Sequence, residues 1–156
     1  TTGEWSVLGS SGFPRVNAMA RNGSGVFYAI TETDTWGVES LITIDPETGA
    51  GTLVAEVTGL ADEHYVGGLA FSPSGTLYGW NYPTGLMTIN PATATGTDVN
   101  ASVGGPNITA LVVLPDGTMI GGQHDLYAID RSTGEATLIA GGVLSNVRGI
   151  EVLDTR

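Results

Sequence analysis

The residues best suited to chemistry in this chain are few: two histidines, sixteen acids and five arginines among 156 residues, with no lysine and no cysteine. His64 follows Asp62 and Glu63, and a histidine beside a carboxylate is the common pairing for general acid–base work at neutral pH. His124 is the only other imidazole, so a lyase or hydrolase reading needs His64, Glu63 and His124 to converge within hydrogen-bonding reach. Two loop histidines in a chain of this length are more often plain surface residues. Gly9-Ser-Ser-Gly12 lacks the strand–turn–helix context of a nucleophile elbow.

A second grouping lies between Thr31 and Glu39, where Glu32, Asp34 and Glu39 stand close to Trp36. Such a tip suits a weak calcium site or a carbohydrate platform. Calcium asks for six or more converging oxygens and the Asp-x-Asp-x-Asp-Gly spacing is absent, so a solvated acidic loop is the plainer reading and no cofactor is expected. Trp80 and Tyr82 can stack on a sugar or a partner's apolar side chain, or, for Trp80, fill a wedge between sheets. Arg148 is a lone cation that can hold an anionic group or pair with a neighbouring acid.

The formal charge of −11 repels phosphate backbones and anionic lipid heads, which argues against nucleic acid or a membrane surface as a partner. The absence of cysteine removes disulfides, thiolate metal sites and cysteine nucleophiles. No apolar run approaches the ~18 residues of a spanning helix. The chain begins Thr-Thr-Gly, which suits a mature exported form or a piece of something longer, so a secreted or cell-surface location is expected. Three sequons, at Asn22, Asn100 and Asn107, are candidate glycan acceptors in that setting.

The elements that must position these residues are strands. Apolar runs of four to six residues are separated by Pro, Gly, Asn and Asp, and no stretch has helical periodicity. Twenty-four glycines and twenty threonines fit an all-β chain with many tight turns. Self-comparison then gives a repeat, best seen between Gly67 and Val99. A first strand recurs from Val16, Val66, Ile108 and Val147. A second recurs from Gly25, Gly75 and Gly117, and a third from Ser40, Gly85 and Asp125. Each third strand runs into an Asp or Asn turn at 45, 90 or 130, and a fourth strand follows from Thr52, Thr97 and Thr137. Ala94 stands where the other two turns have glycine, so that turn is expected to shift toward Gly96.

Four strands in a period of about 40 to 45 residues predict β-propeller blades. Regular strands alone also suit a β-sandwich, which the internal repeat disfavours. The expected array is an orphan outer strand at 4–9, blades at 16–56, 66–99 and 108–140, and an orphan inner strand at 147–153. Gly68-Leu-Ala-Phe-x-Pro-x-Gly-Thr-Leu-Tyr78 and Ile44-Asp-Pro-x-Thr-Gly49 resemble the blades of secreted and cell-surface bacterial propellers of the NHL, YVTN and streptogramin-lyase-like group. That resemblance implies blade architecture. Its lyase members also suggest the acid–base role for His64, but the matching residues are strand and turn positions.

Three blades with unmatched ends leave apolar edges at Trp5, Val7, Ile150 and Val152. A four-bladed ring closed by the terminal strands, a composite ring or filament of several copies, and excision from a longer array all answer this. Self-association is favoured, because each end supplies an edge that a second copy lacks. The expected function is non-catalytic: an extracellular module for assembly or for binding a protein or carbohydrate, through long loops on one face that carry Asp34, Trp36, His64 and Tyr82, with Arg148, at the second position of the orphan inner strand, as a further binding candidate.

Overall fold

The computed structural model describes residues 4–33, 38–60, 65–142 and 145–150. Among these residues twelve strands form three antiparallel sheets, each a meander with strands in chain order. The first blade comprises β1 (Val16–Arg21), β2 (Phe27–Glu32), β3 (Glu39–Ile44) and β4 (Gly51–Glu56). The second comprises β5 (Tyr65–Phe71), β6 (Leu77–Tyr82), β7 (Gly85–Ile89) and β8 (Gly96–Asp98). The third comprises β9 (Ala110–Val113), β10 (Met119–Gly122), β11 (Leu126–Ile129) and β12 (Ala136–Ala140). The fold is all-β, three propeller-like blades without ring closure.

The turns that end each third strand have one construction. The carboxylate of Asp45 accepts the Glu47 N–H at 2.8 Å, Asn90 Oδ1 accepts that of Ala92 at 2.9 Å, and Asp130 Oδ1 accepts that of Ser132 at 2.7 Å. The turn closes on a left-handed residue, Gly49 or Gly134, each with φ of 75°. The expected shift at Ala94 does not occur. Ala94 itself takes φ of 57° and donates to Asn90 O at 2.8 Å, as Gly49 donates to Asp45 O. Its methyl group is buried in the core between the first two blades, which offsets the left-handed strain.

Two cores lie between the blades rather than within them. The first joins Ala18, Ile30 and Leu41 to Val66, Leu69, Leu77, Met87 and Ile89. The second joins Ala70, Trp80 and Leu86 to Ile108, Leu111, Val113, Met119 and Ile129. Trp80 is fully buried, and its Nε1–H donates to Pro106 O at 2.8 Å, so it fills the wedge between the second and third blades. Register places Ile30 opposite Ala18, Trp80 opposite Gly68 and Gly122 opposite Ala110. The third blade therefore carries glycine where the first two carry their wedge residues. A Cβ at Gly122 would lie 2.9 Å from Asp125 O, so the tight hairpin that follows keeps glycine there.

The inner strands β1, β5 and β9 surround a common axis together with residues 148–150. A narrow space of about 40 Å³ lies between them, and an open cavity of about 660 Å³ lies at the end carrying the turns between first and second strands.

The chain termini depart from the expected strands. Residues 4–10 form no strand, because no third strand lies free beside them, and residues 145–150 form none either. Residues 151–153, Val152 among them, lie outside the described residues.

Candidate functional site

The loop face of the first blade holds two buried acids. Glu32 ends β2 and Glu39 begins β3, and the two face each other in register. Each has been turned to a neighbour. Arg15 Nη1 lies 3.4 Å from Glu32 Oε2, while both oxygens of Glu39 accept the N–H of Val66 at 3.1 Å. Val66 belongs to the second blade, so the Glu39 carboxylate clasps one blade to the next. Burial pushes its pKa up to about 7, the Val66 N–H and the Asn17 amide pull it down, and Glu32 raises it further. Asn17 Nδ2 is itself buried and makes no hydrogen bond of ordinary geometry. A carboxyl buried in a blade junction and bonded to a backbone amide links one blade to the next.

The remaining candidates are spread over the same face. Asn81 is buried, accepting the Tyr65 N–H at 2.9 Å and donating to Thr84 Oγ1 at 2.8 Å, and this fixes the rim from which Tyr82 projects, 46% exposed. His124 is exposed, beyond β10. Arg148 is exposed at the mouth of the narrow axial space and makes no ion pair among the described residues. Asp34, Trp36, Glu63 and His64, the residues of the calcium, lectin and acid–base readings, lie outside the described residues. Among the described residues no group of three acids or histidines comes together that can hold a metal ion.

The sequons differ in setting. Asn22 Oδ1 is held by the N–H groups of Ser24 and Val26, at 3.0 and 2.9 Å. Asn100 sits in an exposed turn and accepts the Ser102 N–H. Asn107 is exposed, but its partner Thr109 is buried and donates to Val147 O at 2.7 Å.

The most distinctive surface is the open end of the third blade. Val54 in the first blade packs against the first core, and Val99 in the second packs against the second core. The same position in the third blade is Ile139, which is 57% exposed, beside Leu138 at 56%. Leu41 and Leu86 are buried, whereas their counterpart Leu126 is only half-buried. At the other end Trp5, Val7 and Leu8 are 86%, 78% and 62% exposed. Ile150, expected at an apolar edge, instead helps to line the central cavity. Sequence reasoning named Trp5 and Val7 but passed over Ile139, although its alignment with Val54 and Val99 was visible.

A second pattern escaped it. Gly51, at the start of β4, donates its N–H to Ser11 O, and Gly96, at the start of β8, donates to Thr58 O. The straps are Ser11-Gly12-Phe13 and Thr58-Gly59-Leu60, with the central glycines at φ of 76° and 80°. A Cβ on Gly51 would collide with Phe13, and one on Gly96 with Leu60. The third blade has Ala136 at this corner, where a Cβ excludes such a strap.

The family profile described as "Repeat of unknown function (DUF6923)" matches residues 1–149. The chain belongs to the DUF6923 family. No curated protein matches this DUF6923 chain in sequence. Among solved structures it is similar to a chain of a nidogen/laminin complex, with a TM-score of 0.62 at 12% identity over 86% of this chain and 51% of that one. A Bacteroides thetaiotaomicron protein of unknown function aligns with a TM-score of 0.63 at 17% identity, over 84% of this chain and 34% of that one. Virginiamycin B lyase from Staphylococcus aureus aligns with a TM-score of 0.52 at 14% identity, over 79% of this chain and 40% of that one. The DUF6923 chain thus spans about half the length of the first of these and a third of the second. Identities this low carry the blade architecture alone. The finer resemblance to NHL, YVTN or lyase propellers is not established by them.

Proposed function

We propose that this chain is a non-catalytic assembly module, secreted or displayed at the cell surface, that self-associates through its open blade ends. The observation that carries this reading is Ile139, exposed at the position whose counterparts in both other blades are packed in an inter-blade core. A blade end of this kind is complementary to the opposite side of another blade, since two such junctions already exist within the chain. A second copy supplies a blade, and a head-to-tail contact repeated from copy to copy builds a composite ring or a filament.

The test is the oligomeric state. Light scattering on the purified chain should give a mass above that of the monomer at micromolar concentration. Ile139→Asp should return it to monomer without loss of fold, while Leu53→Asp, at an equally exposed position on the first blade's outer strand, should not. A monomeric parent chain overturns the reading.

A further inference from the structure

The segment that makes the contact can be found by asking which backbone edges remain free. Each third strand already has its fourth: β3 pairs with β4, β7 with β8 and β11 with β12. The inner strands face one another around the axis, β1 packing beside β5 and β5 beside β9. That leaves the outer edges of β4, β8 and β12. The first two begin under the straps at Ser11 and Thr58. Among the described residues β12 has no strap, and it exposes Leu138 and Ile139. It is an unprotected edge strand, a template for pairing with another chain.

The counterpart is Glu4–Leu8. It shares its pattern with the fourth strands, Thr2-Gly-Glu-Trp-Ser-Val-Leu8 against Thr133-Gly-Glu-Ala-Thr-Leu-Ile139. The strap that follows it is anchored on the first blade just as the segment following β4 is anchored on the second. Residues 4–8 therefore leave the molecule at its outer rim, in the place of an outer strand of a preceding blade. Yet they carry no hydrogen bond among the described residues and expose all three large apolar side chains.

We propose that Glu4–Leu8 of one copy adds as a strand along the free edge of β12 in a second copy. This rests on the self-association argued above and names the element that performs it. Main-chain hydrogen bonds supply the pairing, while Trp5, Val7 and Leu8 cover apolar side chains on the open end.

Light scattering should be run on the parent chain, on a chain lacking residues 1–8 and on the full-length double variant Trp5→Ser, Val7→Asp. Circular dichroism of both variants should match the parent, because residues 4–8 form no strand in the single copy and expose Trp5, Val7 and Leu8; thermal melts should match the parent only where it is dilute enough to be dissociated. The inference predicts that both variants associate at least tenfold more weakly than the parent. It also predicts that the peptide Thr-Thr-Gly-Glu-Trp-Ser-Val-Leu dissociates the parent assembly. If both variants associate as the parent does while Ile139→Asp is monomeric, the strand-donor role is overturned and self-association stands. If the parent is monomeric, both fall.

Discussion

Glu39 has its pKa raised to about 7, and the cause is burial in a blade junction. Its folded-state pKa lies above the unfolded value, so the folded chain holds the proton more tightly. Below about pH 4.5 both states are protonated and the full benefit is present. As pH rises through the unfolded value toward 7, the unfolded chain ionises first and stability falls; above that the loss is complete. The separation between 4.5 and about 7 corresponds to a loss on the order of 3 kcal/mol. Glu39→Gln keeps an acceptor for the Val66 N–H and removes the titration. Urea unfolding at pH 5 and pH 8 should show the parent chain weakening across that interval and the variant nearly unchanged, hence the more stable of the two at pH 8. Glu39 was visible in the sequence as an acid, but its burial was not. The copies of the unit place Thr84 and His124 at that point, and nothing in a string of residues shows an acid turned inward onto the next blade's backbone.

At the scale of elements, the strands were legible because apolar runs of strand length alternate with turn residues whose chemistry is local. Asp45, Asn90 and Asp130 each accept an N–H two residues on, an interaction that needs no tertiary partner. Ala94 was misread because the same rule ignores what the methyl gains in the inter-blade core. At residues 4–9 the local pattern favours a strand, but a strand needs a neighbour, and in the single copy none is paired there. Packing between elements is close where the connection after β8 crosses Trp80. A Cβ on Gly105 would lie 2.2 Å from the indole, which is held by its bond to Pro106. Gly105→Ala should therefore displace the ring and cost roughly 1–3 kcal/mol in chemical unfolding. A change in Trp80 fluorescence would report the same displacement.

Across the whole molecule, repetition explains both what could be foreseen and what could not. The period of the repeat predicts blades, and the blades are there. The loop face was expected to carry the site because its connections vary, yet the larger cavity opens at the other end of the inner strands, where Arg21, Phe71, Val113 and Ile150 meet. That cavity is assembled from positions that look purely structural in any single copy.

Gly122 gives the two kinds of junction different strengths. Within the chain, Ile30 and Trp80 project from one blade into the next, whereas the third blade has only Gly122 at that position. A joint between copies lacks this anchoring side chain, so it should be the weakest link in any assembly the chain forms. Denaturation should then proceed in two stages. The first would be a loss of mass that moves to lower denaturant on dilution, and the second a loss of strand signal independent of concentration. A single concentration-independent transition accompanying loss of mass would contradict this order. An assembly built this way can be taken apart and rebuilt by dilution and concentration alone, its subunits staying folded throughout.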